Sequence, residues 1–126
     1  ALIDQYLGSE AKAEEALIRL FESIEQQWQR QGRSAGILYD ALAQARSSKH
    51  QAAALQAYAE AFMPHLRHWQ QQQWIRADID LSAASQLLST TLSSAVFMLR
   101  AGADRAQYWR YVKLASSAIL PARADD

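Results

Sequence analysis

The amino-acid sequence predicts an all-α protein, a single domain of about six helices. Three observations carry that prediction. Apolar residues recur at spacings of three and four in one segment after another, which is helical periodicity. Only four glycines and two prolines occur in 126 residues, too few for a turn-rich sheet. Ala, Gln, Leu and Arg dominate, while β-branched residues are few, a balance that favours helix over strand. Half of the chain is apolar, so a core can form, and the length suits one domain over residues 1–126.

The elements follow in order. Leu2, Ile3, Tyr6 and Leu7 have helical spacing, and Gly8 stops that helix. Ser9 caps a second helix, Glu10 to Gln31. It turns Ala13, Leu17, Leu20, Phe21, Ile24 and Trp28 inward and leaves Glu14, Glu15, Arg19, Glu22 and Glu25 mostly to water. Gly32 ends it. Ser34 to Arg46 is a shorter third helix with Leu38, Ala41, Leu42 and Ala45 inward. Ser47 or Ser48 caps the fourth, Lys49 to about Gln73, which carries Pro64 inside it. A mid-helix proline removes one hydrogen bond and usually kinks the helix.

Asp80 is a good N-cap for the fifth helix, Ser82 to Ala101, because its carboxylate can accept a free N–H of the first turn. This helix has no charge until Arg100. Its polar residues Ser82, Gln86, Ser89, Ser93 and Arg100 fall on one narrow stripe, and the rest of its circumference is apolar or small. A helix apolar on most sides must be covered on most sides. One small domain covers one face, so the other is expected to meet a partner. Gly102 breaks the helix, and Asp104 caps the last one, which runs to about Leu120. There Trp109, Val112, Ala115, Ser116 and Ile119 make an inward stripe, widened by Tyr108, Tyr111, Leu114 and Ala118; Arg110, Lys113 and Ser117 stay wet. Pro121 ends it, and Ala122 to Asp126 is expected to fray.

Three stretches carry a resemblance. The run Ile75-Arg76-Ala77-Asp78-Ile79-Asp80-Leu81, an aromatic before it and Ala84, Leu87 and Leu88 after it, resembles the start of the penultimate helix of tetracycline-repressor (TetR/AcrR) regulators. Ala1 to Leu7 resembles the second half of that family's connecting helix, and Ala35 to Arg46 its middle helix. The resemblance implies an effector domain with a three-helix ligand-binding part and a dimer interface built from the last two helices. It also implies an N-terminal helix-turn-helix that binds operator DNA, which these residues lack. The uncapped start at Ala1, without an initiating Met, is read as a cut from a longer chain.

Composition narrows the classes. Thirteen basic and thirteen acidic residues balance at a pI near 7.1, without the basic excess that nucleic-acid binding needs. Operator DNA is therefore expected as a partner only through the missing N-terminal domain. Cys is absent, which removes disulfides, thiolate metal sites and Cys nucleophiles and fits a reducing, cytoplasmic setting. No membrane span or signal peptide is read. The chain lacks a Gly-rich phosphate loop, a G-x-S-x-G elbow and an H-E-x-x-H pair, and its acids are scattered, so no enzyme and no cofactor are expected. His65 and His68 are spaced like metal ligands, but no third ligand accompanies them, so no metal site is expected.

Two groups of residues remain as candidates. Leu55, Tyr58, Phe62, His65 and Trp69 form a stripe along the Pro64 helix, either ordinary core or the wall of a ligand pocket. Large aromatics with polar tips need partners when buried, and a kink makes room for a cavity. Trp28 and Tyr39 could complete that pocket. The resemblance places an effector among these helices, so the expected lining is Trp28, Tyr39, Tyr58, Phe62, His65 and Trp69. Such a lining suits a small apolar or aromatic molecule with one or two polar groups. Ser89, Ser93, Ala95, Ala115 and Ala118 are small residues that let helix axes approach closely. The expected homodimer is a four-helix bundle through Leu88, Leu92, Ala95, Leu99, Tyr108, Tyr111, Val112, Ala115 and Ile119. A different reading is a helical adaptor that binds a protein partner and no small molecule.

Overall fold

The computed structural model describes residues 2–8, 11–31 and 48–121. They form five helices: α1 (Leu2–Leu7), α2 (Ala13–Gln31), α3 (Ser48–Gln71), α4 (Leu81–Arg100) and α5 (Arg105–Ser117). Among the described residues there is no strand, and the all-α class holds. The expected helix Ser34–Arg46 and the Ser9 cap lie outside the described residues.

Local chemistry sets most of the boundaries. The Asp80 carboxylate accepts from Ser82 N–H at 2.8 Å and Ala83 N–H at 3.1 Å, so α4 starts where its cap predicts. Asp104 accepts from Gln107 N–H at 2.8 Å, and the Gln107 side chain accepts from Asp104 N–H at 3.1 Å, a reciprocal box at the head of α5. At the end of α4, Gly102 has φ +87°, with Gly102 N–H on Leu99 O and Ala103 N–H on Met98 O. That is a left-handed stop that glycine enters without strain. α3 ends two residues earlier than its periodicity suggests. Gln73 takes the same left-handed turn at φ 62°, with Gln73 N–H on Gln70 O and Trp74 N–H on Trp69 O.

Tertiary contacts shape the other ends. The expected tail of α5 stops at Ser117. The carbonyls of Ile119 and Leu120 instead accept from Arg76, through its N–H at 2.9 Å and its Nε at 3.1 Å. The link from α3 to α4 is held from its other side, where the Gln70 amide donates to the carbonyls of Ala77 and Ile79, both at 3.3 Å. Ile75 is buried in the same link. A connection fixed this way positions α3 against α4.

Helix α4 is the centre of the fold and packs against α2, α3 and α5; α1 rests on α2 and α3. One core joins Leu17, Leu20 and Phe21 of α2, Phe62, Leu66 and Trp69 of α3, Leu88 and Leu92 of α4, and Tyr108 and Val112 of α5. Ile3 and Leu7 enter it from α1. Fully burying each such side chain contributes about 1.5–3 kcal/mol.

Ser85 and Ser89 are buried, and Ser89 Oγ donates to Leu55 O of α3 at 2.6 Å. Small hydroxyls suit that contact because each finds a carbonyl acceptor while the helices stay close. One expectation changes: Glu25 is not on water. It is buried, and its carboxylate accepts from Trp109 Nε1 at 3.3 Å and pairs with Arg105 Nε at 3.2 Å. A buried carboxylate persists only with such partners.

Candidate functional site

The aromatic stripe of α3 lies on the side that meets α1 and the common core. Phe62 and Trp69 are fully buried there, while Tyr58 is half-buried and packs against the core. Trp28, on α2, is half-buried against the same core. Tyr39 lies outside the described residues. Burial pushes the Tyr58 phenol above its ordinary range, so it stays a neutral hydroxyl able to donate and accept. Five of the six residues expected to line a pocket therefore lie on α2 and α3. Two of the five have no surface to give a ligand without movement.

His65 is placed differently from its neighbours. It comes right after Pro64 and turns toward α1, where Nε2 lies 2.7 Å from Asp4 Oδ1. The pair is half-sheltered, with 15% of the His65 side chain exposed against 60% for Asp4. Gly8 closes this corner. A Cβ there would lie 2.7 Å from the Asp4 carbonyl oxygen and 4.0 Å from the His65 ring. No sequence signal marks Asp4 as a partner of a residue 61 positions away. His68 points elsewhere and meets Trp74 edge-on at 5.6 Å. The two histidines thus have separate neighbours. Among the described residues no group of three His, Cys, Asp or Glu could hold a metal ion.

The residues expected at a dimer interface sort into two sets. Leu88, Leu92, Ala95, Leu99, Tyr108, Val112 and Ile119 are buried within the chain's own core. Each of the seven is enclosed by its own chain in the single protomer. Tyr111 and Ala115 are half-buried and keep some surface. The open apolar surface lies instead at Phe97, 68% exposed, and Leu114, 74% exposed. Around Phe97 the outward side of α4 carries Ala83, Gln86, Leu87, Thr90, Ser94 and Ala101, all exposed or half-exposed and none charged. Positions 83, 87, 90, 94, 97 and 101 repeat at four and three, the spacing of a helix-pairing seam. Leu114 has Tyr111 and Ala118 beside it on α5.

Among the described residues no helix is long and apolar enough to cross a membrane. Comparison of the chain with protein-family models, with curated proteins and with solved structures finds no match in any of the three.

Proposed function

We propose that these residues form the regulatory part of a ligand-responsive transcription regulator of tetracycline-repressor type, binding a small apolar or aromatic effector and pairing with a second copy of itself. The outward side of α4 supports this reading most. Four turns of a central helix face outward without a charge until Arg100, and Phe97 and Leu114 stand largely exposed beside them. A solvated helix face normally carries charge, so a face like this favours a covered state. A homodimer covers it with the same surface from the partner, as two-fold symmetry requires. The effector, in this reading, enters between α2 and α3 beside Trp28, Tyr58, Phe62, His65 and Trp69. Operator DNA is met by a helix-turn-helix outside these residues. Sedimentation velocity at micromolar concentration tests the reading: a dimer is expected for the chain and a monomer for Phe97→Glu. A monomeric parent chain removes it.

The complete burial of Phe62 and Trp69 favours a second reading. Side chains with no exposed surface offer an effector nothing to touch until a helix moves. A helical adaptor with a solid core would use the same Phe97 and Leu114 surface for a different protein. Thermal-shift screening with apolar aromatic molecules separates the two, since a binder present at 100 times its Kd stabilises by about 2.7 kcal/mol.

A further inference from the structure

A second exposed apolar site lies on the flank of α5 away from Leu114. Ile18, 38% exposed, faces a groove of about 610 Å³ between α2 and α5, with Trp109 and Ala106 as the rest of its apolar floor. The groove's charged lining is Glu22, Arg105 and Lys113. These charges are unequal. Arg105 is answered by Glu25, which it pairs with at 3.2 Å. Glu22 accepts from the Gln26 amide at 3.4 Å and forms no ion pair with the described residues. Lys113 forms no ion pair with the described residues. Lys113 lies one helical turn beyond Trp109 on the same line of α5. Beside the indole and the isoleucine there is thus an ammonium that no carboxylate of the described residues pairs with.

We propose that this groove binds an amphiphile with one anionic headgroup, an alkyl or aromatic carboxylate, its body along Ile18 and Trp109 and its carboxylate on Lys113. The size fits, since small-molecule sites span about 300–1,000 Å³. Charge complementarity sets the class. Lys113 attracts one negative charge, and Glu22 in the same lining opposes a second. The groove flanks Lys113 and Trp109, whereas Leu114 and Ala118 occupy the other side of α5, so pairing of two copies through Leu114 leaves it open. The site is separate from the aromatic stripe of α3.

Sodium decanoate and decylammonium, each below its micelle concentration, test this by NMR titration of the full chain. The reporter is the Trp109 indole N–H, which donates to Glu25. Decanoate is expected to shift that signal and the Ile18 amide, and decylammonium to bind more weakly. Lys113→Gln should weaken decanoate about three- to fivefold, the worth of one exposed ion pair. Glu22→Gln should strengthen it by a similar factor. Both side chains are exposed, so neither change threatens the fold. The proposal is overturned if decanoate leaves the Trp109 signal unmoved, if decylammonium binds as tightly, or if Lys113→Gln leaves the affinity unchanged. Shifts confined to Phe62 and Trp69 would also overturn it, while leaving the α2–α3 effector reading standing.

Discussion

Asp4 and His65 hold α1, the shortest of the five described helices, against α3, the longest of them, through one contact of 2.7 Å. Ile3 and Leu7 are the only fully enclosed side chains α1 adds to the core among its described positions. That polar contact adds to the hold that Ile3, Leu7 and the half-buried Tyr6 give α1 on the core. Asp4→Asn is expected to raise amide exchange over residues 3–8 while the exchange of α4 stays as it was. The global cost should be about 1 kcal/mol or less, because Asp4 is more than half exposed and solvent screens the pair. Equal loss of protection in α1 and α4 would show that α1 is not a separate opening unit.

Tyr108 should give the protein an alkaline limit. Its hydroxyl donates to Phe21 O at 2.6 Å, in the core. Burial, and after it the nearby Glu25 carboxylate, push the phenol above its ordinary value of 10.0. The folded state therefore keeps this proton at pH values where the unfolded chain loses it. That stabilisation is complete below about pH 10 and declines as pH rises above it toward the folded-state value. Tyr108→Phe should flatten this alkaline decline. At neutral pH it should cost about 0.5–1.5 kcal/mol, the net worth of one hydrogen bond, because Phe21 O lies inside α2 and keeps its helical donor. Urea unfolding at neutral and alkaline pH measures both effects.

Two charges placed on α4 should behave differently. Ala95 is fully buried within the chain, and Ala95→Glu buries an unpaired charge at a cost of several kcal/mol. Phe97 is largely exposed, so Phe97→Glu should leave the circular dichroism and the melting curve of the dilute protein nearly unchanged. If Phe97→Glu unfolds the chain at concentrations where it is monomeric, Phe97 supports the protomer and not an interface.

The contrast between these two residues shows what was legible. Asp80, Asp104 and Gly102 act on backbone groups within a few residues of themselves, so the limits of α4 and the head of α5 were readable from local sequence. Burial was readable as well, since Leu88, Leu92 and Val112 are apolar at helical spacing. What covers them was not. Periodicity says that a face is enclosed, not whether the enclosing helix belongs to the same chain. The same gap hid the acceptor of Ser89, which is Leu55 O of α3, and the partners of Glu25, Arg105 and Trp109, which lie about 80 residues away.

Duplex DNA should bind the chain weakly and without sequence preference. Its charge sums to zero, and affinity for the phosphate backbone grows with the number of cations brought to it. A gel-shift titration at about 150 mM salt checks this, where non-specific dissociation constants of about 10⁻⁴–10⁻⁶ M are ordinary. Nanomolar, sequence-specific retardation would place a DNA-reading surface within these residues.

The pairing of two copies across α4 is the central claim, and a distance measurement tests it most directly. The chain has no cysteine, so Thr90→Cys, at the middle of the uncharged face, gives one thiol for a spin label. Pulsed dipolar spectroscopy on the labelled protein should return a single narrow distance of about 20 Å or less, the span of two helix diameters. No dipolar coupling at micromolar concentration, or a coupling at much longer distance, would contradict the account.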